Sequence, residues 1–397
     1  MNEGKFSVGV NYLPTRSAQQ MWKRFDGGEI REDFARLREL GLSPVRIFLL
    51  WEDFQLETNK VNMRSLDKLV EVAQHSMDMG VDLWITLFVG HLMEVNHLPF
   101  WILEASPGEV TVPTLVGSTL LPLVAKDLFE DREILQAQKL MIREVAAALR
   151  GHPNLFCWEF GSQLSRVRSS KNPQAMEGWL ASLNEELKGR DDRTPMTVGL
   201  SPEDLYEQGL FAPHILAGHC DLLSIAFFPN TSQWSRGPTD VTALVFVVEM
   251  IRWLSRRDDM PIWVEAVGVP CGHQGETQWM VDDETAAEFA KDALRALWNT
   301  GVQGGLWWCY GDFYGDFLEG PPFNERPWWG KYGLFSTDQR PKSVLEAVTS
   351  LSSMEKKSPS DMGEWFDLEH EEYWKEPSYH FQRLLKRFDE DFQLHGQ

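Results

Sequence analysis

The sequence predicts an α/β protein, a (β/α)8 TIM barrel with extended loops and a helical, acidic C-terminal tail. Three observations carry this expectation. Short apolar runs of β type alternate with amphipathic stretches of helical period. Eight such runs fit between residues 6 and 310. No Gly-x-Gly-x-x-Gly turn follows the first run, as an open dinucleotide-binding sheet would require.

In chain order, residues 6–12 form the first strand. A helix over 30–40 follows, with Phe34, Leu37 and Leu40 at helical spacing and Gly41 as its stop. The second strand is 45–51, and an amphipathic helix over 66–79 ends at Gly80 before the third strand, 81–89. Residues 90–130 break the alternation. This partly apolar, proline-containing insertion is too long for a plain connection in a compact domain, and the expectation is that it covers a cleft. A long helix over 131–150, stopped by Gly151, leads into strand 155–163, then helix 173–188 and strand 194–200. A short helical segment near 203–208 precedes strand 221–228. The crossover 239–254 reads as helix, although its Val-Phe-Val-Val core also suits a strand. Strand 261–268, helix 284–300, strand 304–310 and a closing helix over 341–348 complete a barrel domain spanning 1–350. Residues 351–397 are charge-rich and helical over 379–392. Trp365, Phe366, Tyr373, Trp374, Phe381, Leu384, Leu385 and Phe388 allow this tail to dock on the barrel, the alternative being an unstructured extension.

Composition narrows the partners. The formal charge of −21 repels a nucleic-acid backbone, and a 43% hydrophobic content excludes general disorder. With 17 tryptophans and 23 phenylalanines, aromatic-lined cavities are expected, and such walls suit flat amphipathic ligands such as sugars. No apolar stretch reaches the roughly 20 residues that span a bilayer, so no membrane partner is expected. The N-terminus lacks a basic region followed by a long apolar stretch. A cytoplasmic location is the expectation, and a trimmed secreted protein reads the same way. Cys157, Cys220, Cys271 and Cys309 are widely spaced and read as buried thiols; Cys271-Gly-His273 is too little for a metal site, and no metal or cofactor is expected. The sequence leaves the oligomeric state open.

In such a barrel the site forms at the C-terminal ends of the strands. That face collects Arg46 and Trp51, His91, Ser162 and Gln163, Phe228, Glu265, and Trp308 with Tyr310. Period-two alternation from Cys157 puts Glu159, Gly161 and Gln163 on one face, with Glu159 roughly 13 Å deeper than Gln163. Retaining hydrolysis of a glycoside needs two carboxyl groups about 5 Å apart, one attacking and one protonating the leaving oxygen. Glu265, ending its β-run, suits the attacking role, and Arg46 is expected to keep it ionised; the plainer alternative is a buried Arg-Glu pair that closes the barrel end. Trp308 offers a surface for a pyranose, and His91, Asn230, Tyr310 and Asp312 offer hydrogen bonds. Trp51, Trp101, Trp234 and Trp279 are further candidate platforms.

These residues resemble those of the retaining β-glycosidases of glycoside hydrolase family 5, the cellulase and mannanase family, over about residues 6–350. Arg46 in Val-Arg-Ile is similar to the family's second-strand arginine, and Trp-Glu-Phe-Gly-Ser-Gln at 158–163 to its Trp-Glu-Leu-x-Asn-Glu pattern. Val-Glu-Ala-Val-Gly at 264–268 resembles the nucleophile strand, Trp308 the eighth-strand tryptophan, and Gly333 through Lys342 the segment after it. The resemblance implies Glu265 as nucleophile, Gln163 at the acid/base position and Ser162 in place of the asparagine that contacts the sugar 2-hydroxyl. It implies an oligosaccharide or other β-mannoside or β-glucoside as substrate, double displacement without cofactor, and exo action if the 90–130 insertion closes the cleft. Two departures qualify it. An amide at Gln163 neither donates a proton as an acid does nor acts as a base, so the chain as written is expected to be impaired. Two explanations stand: an engineered replacement of glutamate, favoured by the intact Glu265, Arg46 and Trp308, or a naturally silent carbohydrate-binding barrel. The second departure is Ala226-Phe-Phe-Pro-Asn230, apolar where the family often has His-x-Tyr.

Overall fold

The computed structural model describes residues 4–105, 110, 112–168, 172–207, 211–272, 279–352, 354–358 and 365–395. Eight parallel strands close into a barrel: β1 (Ser7–Asn11), β2 (Val45–Leu50), β3 (Leu83–Val89), β4 (Leu155–Ser162), β5 (Met196–Leu200), β6 (Leu223–Phe227), β7 (Ile262–Val267) and β8 (Gly304–Trp308). Each pairs with its sequence neighbours, and β1 joins β8 with Val10 opposite Trp307. The helices of the outer ring are α1 (Gly27–Glu39), α2 (Met63–Met79), α3 (Arg132–Ala148), α4 (Pro173–Lys188), α5 (Pro213–His219), α6 (Val241–Ser255), α7 (Asp283–Asn299) and α8 (Ser343–Thr349). Asp26, Asn62, Asp131, Asn172, Asp240 and Asp282 accept backbone N–H bonds at the starts of their helices, which explains why the helices begin where they do. Gly80, in the left-handed region at φ 68°, ends α2.

Two elements differ from the sequence expectation. The 90–130 insertion carries strands of its own, among them His91–Leu92 with Val95–Asn96, and Leu103–Ala105 with Leu123–Ala125. Short α5 went unread because Pro213 and Gly218 punctuate it. The ambiguous crossover is helical, as α6, and its chemistry has a cause. Its second face is covered by α9 (Pro377–His395), whose Phe381 and Phe388 meet Phe246 at ring separations of 5.0 and 5.5 Å. A helix buried on both sides loses the amphipathic signature. Trp365, Tyr373, Phe381, Leu384 and Phe388 are buried, so the tail contributes to one continuous core.

The barrel interior is layered. At the N-terminal end of the strands, Trp84, Phe156, Trp263 and Leu306 form an aromatic plug separate from the main core, with Trp84 and Trp263 packed edge to face at 5.6 Å. Above the plug lies a layer of polar side chains: Asn11, Arg46, Thr86, Glu159, Thr197, Ser224 and Glu265, all buried. Above that layer opens a cleft.

Candidate active site

The polar layer is organised by Arg46, 1% exposed. Its guanidinium donates to both oxygens of Glu159, at 2.7 and 2.8 Å, and to Glu265 Oε1 at 3.0 Å. Glu159 also accepts from Trp84 Nε1 and Thr86 Oγ1, both at 2.8 Å. Glu265 accepts from Ser162 Oγ at 2.8 Å and from Ser224 Oγ at 2.6 Å. Both carboxylates crowd the position where Gly199 on β5 has no side chain: a Cβ there would stand 2.5 Å from Glu159 Oε1 and 2.5 and 2.6 Å from the Glu265 oxygens. Burial pushes the Glu265 carboxyl up to about 7 against the pull of Arg46. With 0% exposure, Glu265 lies beneath the floor of the cleft, under Arg46 and Ser162, which line it.

Irregularities in two strands set what faces the cleft. On β4, Glu159 pairs with Thr197 and Ser162 with Gly199, so β4 carries one extra residue there, and Gly161 takes φ 86°. The bulge overturns the period-two reading: Ser162 turns inward to Glu265, and Gln163 follows in the left-handed region at φ 52°. Glu159 shares Arg46 with Glu265 in the buried layer. It is still no substitute acid, because Arg46, Trp84 and Thr86 occupy its oxygens and it has no exposure. On β7, Val264 stands opposite Ile225 and Ala266 opposite Ala226, leaving Glu265 as the extra residue. Glu265 is bonded into the polar layer through Arg46, Ser162 and Ser224, and Ala266 is the β7 residue that lines the cleft.

The cleft has a volume of about 680 Å³, in the range of small-molecule sites. Ser162, Gln163, Ala226, Ala266, Phe228, Phe48, Trp308 and Trp329 surround its floor, and His91 to Glu94 with Val112 of the insertion form one side. Trp308 meets Phe48, Phe228 and Trp329 at ring separations of 5.6, 5.9 and 6.2 Å. His91 hydrogen-bonds Asn96, and burial lowers its pKa to about 3, so it is neutral. On the opposite side, Arg166 pairs with Glu203 at 2.9 Å. Asp204 closes its own turn through Ser201, and burial raises its pKa to about 7. Glu94 is held by Trp329 and Arg326, and Glu207 completes the wall.

Arg46, His91, Ser162, Gln163, Phe228 and Trp308 therefore meet at one cleft, with Glu265 just below it. Other expected site residues do not join them. Asn230 is closed in a pair with the Tyr332 hydroxyl, at 2.9 Å. Tyr310 turns away to Asp33, and Asp312 is tied to Lys342 and the Gly333 amide. Trp51 is 1% exposed, packed on Phe88 and Trp101, and Trp234 supports the C-terminal helix through Phe381. Trp279 stands beside Trp328, at a ring separation of 6.0 Å, and is not among the residues that line the cleft. The pattern explains these misses: residues just past a strand turn toward the helices as readily as toward the axis. His273 lies outside the described residues, and among the described residues no cluster of His, Cys, Asp and Glu suits a metal ion. Sequence reading passed over Ser224, Arg166, Glu203, Asp204, Glu207 and Trp329. Only Ser224, a small polar residue inside an apolar strand, carried a local signal.

The molecule is thus a (β/α)8 barrel with an aromatic-walled cleft at the C-terminal ends of its strands, the architecture of many glycoside hydrolases. Comparison with solved structures gives the particular likeness. The chain is similar to a family 5, subfamily 18 glycoside hydrolase from Streptomyces cattleya in complex with Manβ1-4GlcNAc, solved as a glutamate-to-alanine variant: TM-score 0.74, 24% identity, covering 89% of this chain and 83% of that one. A subfamily 18 enzyme from Bifidobacterium longum subsp. infantis gives TM-score 0.75 at 22% identity over 90% and 80% of the two chains. An exo-β-1,4-mannosidase from Opitutaceae bacterium strain TAV5 gives 0.70 at 19% identity over 87% and 59%. The fold is that of the family 5 enzymes. No protein-family model matches the chain, and no curated protein does.

Proposed function

We propose that the cleft binds a β-manno- or β-gluco-configured saccharide on a glycosidase-type barrel, and that the chain as it stands is hydrolytically silent or nearly so. One observation carries this reading: the ends of β4 and β7 present Gln163 and Ala266 to the cleft, while Glu265 is wholly buried beneath it. An amide and a methyl group supply neither the proton donor nor the exposed nucleophile of double displacement. The aromatic wall of Phe48, Phe228, Trp308 and Trp329 supports sugar binding. The complex of the similar Streptomyces cattleya structure with Manβ1-4GlcNAc supports the choice of sugar. The insertion walling one side supports recognition of a chain end, as does the likeness to the Opitutaceae exo-β-1,4-mannosidase. No metal or organic cofactor enters this chemistry.

The test is titration with Manβ1-4GlcNAc and with gluco-configured disaccharides while following tryptophan fluorescence. Saturable quenching or enhancement that disappears in Trp308→Ala is expected, with no reducing sugar released. Absence of any saturable change removes the proposal.

A second reading, retaining hydrolysis through Glu265, is favoured by its contact with Arg46 at 3.0 Å. On that reading Gln163→Glu alone restores hydrolysis by about 10²- to 10⁴-fold, the usual worth of a general acid. No gain with an aryl β-mannoside or β-glucoside eliminates it.

A further inference from the structure

The cleft wall formed by the loops after β5 and β6 does not stand on the barrel alone. Residues 202–205 make a short helical turn after β5, and the carbonyls at the end of such a turn lack donors within it. The C-terminal tail supplies two. The buried Tyr373 hydroxyl donates to Leu205 O at 2.5 Å, and Ser378 Oγ donates to Tyr206 O at 2.8 Å. Three residues further along α9, the Phe381 ring packs against Tyr206 at 4.7 Å and against Trp234 at 5.0 Å. Trp234 follows Thr231, Ser232 and Gln233, which line the cleft after β6. Arg236, just beyond, lies 3.6 Å from Asp389 of the same helix. One helix therefore holds both loops.

The wall is bonded in turn to the end of β4. Arg166 pairs with Glu203 at 2.9 Å, Ser165 Oγ lies 3.4 Å from Ser201 Oγ, and the Gln163 N–H donates to Gly199 O at 2.8 Å. The contacts thus run from the tail through the wall to the residue at the acid/base position.

We infer that the tail belongs to the sugar site: Tyr373, Ser378 and Phe381 are positioning residues that hold this wall for a saccharide, and sugar binding and tail docking strengthen each other. The inference rests on the sugar-binding reading above. No described residue of the tail lines the cleft, so the effect passes through the loops. Trp308 is fixed by the barrel, but the polar groups of the wall bind only when aligned, since a hydrogen bond weakens steeply with misalignment. A wall that spends part of its time elsewhere lowers the affinity by that fraction. The coupling is reciprocal: the factor by which a docked tail tightens binding is the factor by which a bound sugar favours docking.

The experiment uses the full chain with Manβ1-4GlcNAc, or the gluco-configured disaccharide if the titration favours it, well below the melting temperature. The double variant Tyr373→Phe, Ser378→Ala removes two hydroxyls and keeps the aromatic packing. Its dissociation constant should rise about tenfold, within the worth of two ordinary hydrogen bonds. Ser378→Thr, which keeps the hydroxyl, should bind as wild type does. In wild type, saturating disaccharide should slow amide exchange across α9 by a similar factor of about ten, and should not do so in Trp308→Ala. A double variant that melts lower but binds with unchanged affinity has lost only stability, and overturns the inference. So does exchange across α9 that ignores bound sugar, a measurement that decides the matter on wild type if the double variant fails to fold. A wild-type titration with no saturable change instead fails the sugar-binding reading itself, which keeps the two failures apart.

Discussion

Gly199→Ala tests the buried charge layer directly. The added Cβ would meet Glu159 Oε1 at 2.5 Å and the two Glu265 oxygens at 2.5 and 2.6 Å, whereas ordinary contacts begin at 3.4 Å. Both carboxylates must therefore retreat by close to an ångström. They have nowhere to go without lengthening the bonds from Arg46, now 2.7 to 3.0 Å, and from Ser162 and Ser224. Overpacking a tight interior costs about 1–3 kcal/mol, and weakening a hydrogen bond to a buried charge about 1.5–3 kcal/mol more. The sum is roughly 3–6 kcal/mol. At about 2.1 cal/mol/K of unfolding entropy per residue, a chain of 397 residues loses about 1.2 °C per kcal/mol, so Tm should fall by about 4–7 °C. Differential scanning calorimetry reads this, with Gly178→Ala as control. Gly178 lies within α4 with nothing inside 4 Å of its Cβ position, and alanine there should be neutral or stabilising. A Gly199→Ala protein melting within about 1 °C of wild type would refute the account of a packed carboxylate pair.

Two further outcomes follow from the same geometry. The Glu265 carboxyl, pushed up to about 7 from an ordinary 4.5, holds its proton more tightly in the native chain than in the unfolded one. Stability therefore falls as pH rises through that window. Compared with Glu265→Gln, the wild-type denaturation midpoint should drop between about pH 4.5 and about 7 and run parallel outside it; a pH-independent difference would contradict this. At the far end of the chain, Phe381 is fully buried against Phe246, Trp234 and Tyr206. Phe381→Ala should cost about 3–5 kcal/mol in urea denaturation and make residues 365–395 the first site of limited proteolysis; a tail cut no faster than in wild type would show that α9 is held by other contacts.

The repeating architecture was legible in the sequence because periodicity reports it. Alternating β runs and amphipathic helices gave the eight strands to within about two residues at each end, since a barrel strand is a short apolar run and its helices have one wet face. Where a third element covered the wet face, as α9 covers α6, the periodic signal was lost and the segment read ambiguously. The site was legible as a set of strand ends but not as a set of directions. A bulge adds one residue without changing composition, and the two bulges decide that Ser162 and Ala266 face inward at the cleft while Glu265 sits beneath it. Residues just beyond a strand, such as Tyr310, Asp312 and Asn230, found partners among the surrounding loops and helices that no local pattern announces.

This separation of layers changes what the charged residues signify. Arg46 bonded to Glu159 and Glu265 has a sufficient structural reason to exist, since removing one member of a buried ion cluster leaves the others uncompensated at a cost of about 3–5 kcal/mol. The cluster's presence therefore does not by itself argue for chemistry on a sugar. At the ends of β4 and β7 the residues that line the cleft are Gln163 and Ala266. Of the loop carboxylates that line the cleft, Glu203 pairs with Arg166 and Glu94 with Arg326. Arg46, Glu159 and Glu265 therefore bear first on folding, because contacts at 2.7 and 3.0 Å hold this end of the barrel together whether or not a ligand enters the cleft.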